Sequence, residues 1–240
     1  MSNVTPDPDD NIIRLPTREE RESRAKLSNA SAPADAAKAP PLINLPPATK
    51  YLLGVLITIH LIVTYVLTPA QNEAVFLILG FIPARFTEPG TFTLMALLTP
   101  VTHMFLHGGW LHLGMNGAML MAFGAGLERW IGARRMLMVF ILCGLAGAAL
   151  QFALSPFSPV PMIGASGGLS GFFAVAIIMM NKGRGTMGHP KYGLWPLIIL
   201  WIGISIVFGM MGAPDGSMVA WGAHVGGFIG GLIAARVMRL

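Results

Sequence analysis

One cysteine in 240 residues, Cys143, leaves no disulfide framework and no cysteine-based metal site to build on. It lies inside an apolar run, where a thiol behaves as an inert small hydrophobe. Charge is scarce too: Asp, Glu, Lys and Arg make up 11% of the chain, against about 25% for a soluble domain, so an ordinary water-soluble fold is excluded. The N-terminal stretch opens with Asp7, Asp9 and Asp10 and lacks the basic region and short apolar core of a secretory signal peptide. There is no HExxH, which argues against a zinc protease helix, and no internal repeat, which argues against a small repeat-built transporter. What remains is hydrophobic: 54% of residues are apolar and the mean hydropathy is +0.65. This is the composition of an all-α polytopic membrane protein.

Residues 1–48 hold most of the acidic residues and the run Ala30 to Pro41 of alanine and proline, with almost no apolar periodicity. They read as a disordered tail. Residues 49–240 read as one membrane domain with six apolar segments, at about 51–68, 110–131, 135–154, 165–181, 193–211 and 218–238. Each is near the ~20 residues that cross a ~30 Å hydrocarbon core. The longest connection, 69–109, is broken by Pro69, Pro83, Pro89 and Pro100. Its own apolar run, Thr91 to Leu98, is too short to span and is expected to lie in the interface.

The basic residues set the topology. Seven precede the first segment, Arg129, Arg134 and Arg135 separate the second from the third, Lys182, Arg184 and Lys191 the fourth from the fifth, and Arg236 and Arg239 end the chain. Only Arg85 falls on the other side, so both termini are expected in the cytoplasm and the even-numbered helices start at the outer face. The net charge of +5 is thus topological, fits a chain seated in a lipid bilayer, and does not point to nucleic acid.

Polar residues inside such segments are candidates for function. His112 and Asn116, four apart, share one face at the start of the second segment. Ser166 opens the fourth within Gly164-Ala165-Ser166-Gly167, and His224 lies early in the sixth. All four fall at a similar shallow depth. Two rows of small residues, Ala223, Gly227, Gly231 and Gly222, Gly226, Gly230, let another backbone approach the sixth helix, and Gly167 and Gly171 offer a matching row on the fourth. Packed together, these rows bring Ser166 to His224, a weak nucleophile to the base it needs. No third member is evident, with Asp215 in the last outer loop, Glu73 and Glu88 in the first and Glu128 too deep to reach His224, so the pair reads as a dyad, with His112 and Asn116 as donors of an oxyanion hole. His103, His107 and His112 have a loose metal-like spacing without a Cys or carboxylate partner, and His107 beside Trp110 is expected to end the loop at the interface. His60 and His189 have no evident partner. No metal or cofactor is expected.

The segments Gly164-Ala165-Ser166-Gly167, Phe105 to Asn116 with His112 and Asn116, Glu128 followed four on by Gly132, and Ala223-His224-Val225-Gly226-Gly227 together resemble the rhomboid family of intramembrane serine proteases. The likeness is to its compact six-helix bacterial type and covers residues 51–238. It implies a rhomboid-like bundle of six transmembrane helices, Ser166 as nucleophile, His224 as general base and His112 with Asn116 as oxyanion donors. It further implies cleavage of single-span membrane protein substrates near the outer face of a bacterial inner membrane. The Trp-Arg pair that some members carry in the first loop is missing. A non-catalytic rhomboid-like client-binding protein is the rival reading, and it would be expected to lack the serine or the histidine.

Overall fold

The computed structural model of the chain describes residues 16–30, 44–183, 193, 195–196, 198–203 and 220–240. The chain divides into two units, Met1–Asn44 and Leu45–Leu240. In the first, α1 (Arg18–Ala30) forms within a stretch too polar for a core, because its support is local. Thr17 and Glu20 cap its start reciprocally, the Thr17 N–H donating to Glu20 Oε2 at 2.8 Å and the Glu20 N–H to Thr17 Oγ1 at 3.4 Å. Arg18 pairs with Glu22 one turn on.

The second unit begins with α2 (Pro47–Leu61), whose first position is a proline and whose N-cap has no side-chain bond of its own. Its orphan N–H groups are met from the far end of the next long rod. The buried carboxylate of Glu128 accepts from the Ala48 N–H at 2.9 Å, the Thr49 N–H at 2.7 Å and Thr49 Oγ1 at 2.8 Å. A negative group at a helix N-terminus is favourable, and these bonds are charge-assisted. Glu128→Ala is expected to lower stability by about 2 kcal/mol. An unchanged denaturation midpoint of the detergent-solubilised chain would show that the cap is dispensable.

α2 runs on through a π turn, Ile62–Val66, and the connection that follows is more ordered than its prolines suggest. α3 (Pro69–Leu79) starts on a Thr68–Gln71 capping box with Pro69 at a position where the missing N–H costs nothing. A proline read from sequence as a breaker is here a helix start. Short 3₁₀ pieces at Pro83–Phe86 and Leu94–Leu98 and a helical turn, Thr99–Thr102, complete the connection. Phe81 bridges to Met162 by two backbone hydrogen bonds, of 3.0 and 2.8 Å.

The rod at 110–131 comprises α4 (Trp110–Met119), a π turn at Leu120–Gly124 and α5 (Ala125–Ile131). It ends at Gly132, whose φ of +80° is a backbone conformation that suits glycine. α6 (Ala133–Leu154), α7 (Ser166–Gly183) and α8 (Trp221–Val237) follow. Among the described residues the fold is helical, without a strand ladder. Two helices, Pro47–Val66 and Ala133–Leu154, are long and apolar enough to cross a membrane; Leu94–Phe105 and Ser166–Met180 are shorter apolar helices. The expectation of six crossings therefore exceeds what length and hydropathy display here. The rod at 110–131 carries the polar residues His112, Asn116, Glu128 and Arg129, α8 has 17 residues, and the segment expected at 193–211 lies largely outside the described residues.

α6, α7 and α8 pack as a triplet with little between their backbones. A Cβ on Gly226 would come within 2.6 Å of the Ala146 carbonyl oxygen on α6, and one on Gly231 within 2.5 Å of the Gly171 oxygen on α7. A Cβ on Gly227 would overlap the Gly167 carbonyl oxygen. The row at 222, 226 and 230 thus faces α6, while 227 and 231 face α7. Leu56, Leu120, Leu127, Phe140, Leu169 and Phe172 fill the core, while Tyr51, Leu94, Ile233 and Val237 stand exposed, an apolar exterior that suits lipid.

Candidate active site

The segment entering α7 is fixed before the helix begins. Gly164 has φ +118°, a value L side chains rarely adopt, and its N–H donates to the His103 carbonyl at 2.9 Å. Ser166 is the first residue of α7, so the N–H groups around it have no intrahelical acceptor and sit at the positive end of the helix dipole. One turn on, the Ser170 hydroxyl donates to the Ser166 carbonyl at 2.7 Å.

His224 is the fourth residue of α8. Its Nε2 lies 2.8 Å from Ser166 Oγ. The close approach of α8 to α7 at Gly167 and Gly227 is what allows this: a side chain at Gly227 would hold the two helices apart. Among the described residues no carboxylate hydrogen-bonds the His224 ring, and Asp215 lies outside them.

His112 faces the same small volume. A Cβ at Gly164 would lie 2.6 Å from His112 Nε2 and 3.8 Å from Ser166 Oγ, so the missing side chain keeps a gap open between the imidazole and the hydroxyl. Asn116 is buried and spends one amide N–H on the His112 carbonyl at 2.8 Å, while its Oδ1 has no partner. The chemistry fixes that orientation, since a flipped amide would set two oxygens against each other. The second amide hydrogen remains to be donated elsewhere.

Three placements go beyond the sequence reading. His107 is buried within the protein, and its ring packs at 69° against His112 with centroids 5.1 Å apart. Trp110 is half exposed and meets His60 edge-on at 4.7 Å, which gives His60 a partner that sequence did not supply, with Thr64 Oγ1 at 3.5 Å from its Nε2. His103 holds the Thr99 carbonyl through Nδ1 at 2.9 Å while its own carbonyl holds Gly164. Among the described residues no three His, Cys, Asp or Glu side chains are grouped to take a metal ion.

A family model of the rhomboid domain matches residues 94–240, more than half of the sequence and all four residues of the site. This chain belongs to the rhomboid family. Over 144 residues the rhomboid is 31% identical to the rhomboid protease GluP of Bacillus subtilis, a match that covers 60% of this chain and 26% of that protein. Over 139 residues it is 29% identical to the putative rhomboid protease YdcA of the same organism, covering 57% and 63%. It is also 34% identical over 118 residues to the inactive rhomboid protein 1 of Drosophila melanogaster, covering 46% and 8%. In each case the match spans less than two thirds of the relative. The rhomboid family is one of integral membrane proteins, in keeping with the two helices long and apolar enough to cross a membrane and the apolar exterior.

Proposed function

We propose that this rhomboid is an intramembrane serine endopeptidase that cleaves transmembrane segments of single-span membrane proteins, with Ser166 as nucleophile and His224 as general base. The observation that carries the reading is the 2.8 Å contact between Ser166 Oγ and His224 Nε2 at the start of a helix. Neutral His224 takes the hydroxyl proton as Oγ attacks the substrate carbonyl, then returns it to the leaving amine. The oxyanion forms beside the first-turn N–H groups of α7, with Nε2–H of His112 and the second amide hydrogen of Asn116 as further donors. Water then repeats the cycle on the acyl-enzyme. In this reading residues 49–240 form the six-crossing catalytic domain, residues 1–48 a cytoplasmic tail, and the site opens to the outer face. The pair Ser166 and His224 also speaks against a solely client-binding role.

The direct test is to reconstitute the chain in vesicles with a tagged single-span membrane protein and to sequence the new termini. Cleavage within the substrate's apolar segment is expected; an intact substrate panel with a correctly folded chain would overturn the reading. Asn116→Ala is expected to lower kcat by about 10- to 1,000-fold with KM little changed, because its free hydrogen serves charge that exists only in the transition state. A rise in KM alone would move Asn116 to substrate binding.

A further inference from the structure

An apolar groove of about 250 Å³ lies between the connection after α3 and the C-terminal half of α6. Its walls include Phe81, Phe86 and Pro100 on one side and Ala148, Ala149 and Phe152 on the other. The proposed proteolysis makes no use of it. Ala149 is exposed, and the half-exposed ring of Phe92 packs on the wall residue Phe86 at 6.1 Å, so the groove continues into the apolar exterior. One positive charge adjoins a wall residue in sequence. Arg85 is the one Lys or Arg in 69–109, it precedes Phe86 in the turn Pro83–Phe86, and among the described residues it has no carboxylate partner. An apolar slot with an unpaired cation next to one of its wall residues matches a molecule with an acyl chain and a phosphate.

Two walls of the groove lead directly to the site. Phe81 is tied to Met162 by both backbone hydrogen bonds of their bridge. Pro100 belongs to the turn Thr99–Thr102, whose Thr99 carbonyl holds the His103 ring, and the His103 carbonyl in turn takes the Gly164 N–H. Met162 and Gly164 lie four and two residues before Ser166. Filling the groove therefore bears on the backbone that sets the serine.

We propose that this groove is a binding site for a bilayer phospholipid, with one acyl chain between Phe81 and Phe152 and the phosphate at Arg85, and that its occupancy steadies the backbone from Met162 to Gly164. The proposal stands apart from the proteolytic reading, since none of its readouts is cleavage. The full chain in detergent is exposed to phosphatidylglycerol carrying a photoreactive group on its acyl chain, or to a diacylglycerol with the same chain, and the cross-linked peptides are identified. Cross-links are expected to concentrate on the peptides containing Phe81 to Phe86 and Ala148 to Phe152. Ala149→Phe, which fills the slot from its open side, is expected to reduce them about tenfold. Arg85→Gln, a substitution outside the core, is expected to bring phospholipid capture down to that of diacylglycerol, about tenfold. Amide exchange at Met162 and Gly164 should slow on adding phosphatidylglycerol to the wild type but not to Ala149→Phe. If Ala149→Phe does not fold, Arg85→Gln carries the test. Cross-links spread evenly along α2 and α6, equal capture of the two lipids by the wild type, unchanged exchange, or displacement of the probe by a single-span substrate peptide would each overturn it.

Discussion

Ser166→Ala and His224→Ala are each expected to reduce cleavage of a reconstituted single-span substrate by about four orders of magnitude or more, and the double variant by no more than either alone. The serine hydroxyl at 2.8 Å from Nε2 is nucleophilic only while a base can take its proton, and the imidazole has no substrate to act on without the hydroxyl. The two therefore fail together. The control lies in the fold: the α7–α8 contact is made by glycine backbones, so trimming either side chain to alanine leaves the packing in place. Unfolding midpoints within experimental error of wild type, with activity lost, would complete the result. Activity near wild type in either single variant would be incompatible with the dyad, and strictly additive losses would mean that the two residues act in separate steps.

Gly227→Leu is expected to lower activity by about 100-fold or more without altering any reacting atom. A Cβ at that position would overlap the Gly167 carbonyl oxygen, and three further carbons cannot be housed without driving α8 away from α7. Overpacking of this kind costs about 1–3 kcal/mol or more in stability. Its effect on chemistry is larger, because a displacement of ~1 Å lengthens the Ser166–His224 contact beyond proton transfer and costs on the order of 100-fold. Gly54→Leu on α2 is the matched control, since Gly54 is exposed and a Cβ there meets nothing within 4 Å. Equal activity in both variants would show that the glycine row does not set the dyad distance.

Much of this arrangement is legible in the sequence where the periodicity is strong. The apolar run at 135–154 is α6 to within two residues at its start, and the 3.6-residue repeat of small side chains on α8 contains the approach of Ser166 to His224. What escapes sequence is long-range or backbone-borne. The carboxylate of Glu128 caps a helix 79 residues away, and no local pattern announces that pairing. The burial of His107 against His112 depends on how the chain turns at Gly108 and Gly109, which spacing alone leaves undetermined. Pro69 has the same letter whether it stops a helix or starts one, and the Thr68–Gln71 box that decides the matter is easily overlooked among apolar neighbours. The φ of Gly164 is likewise invisible until the bond to His103 is seen.

The side-chain-free seam between α7 and α8 also determines where this protein can and cannot drift. Gly171, Gly227 and Gly231 are positions at which alanine, the smallest possible increment, already crowds a neighbouring backbone or side chain, so what is required there is the absence of a carbon and not any chemical property. Exposed positions such as Leu94, Ile233 and Val237 sit at the other extreme, where one apolar residue serves as well as another. A saturation library scored for folded protein should therefore show deep intolerance at the three glycines, which contribute no functional group, while Ser166 is, by the same measure, freely replaceable.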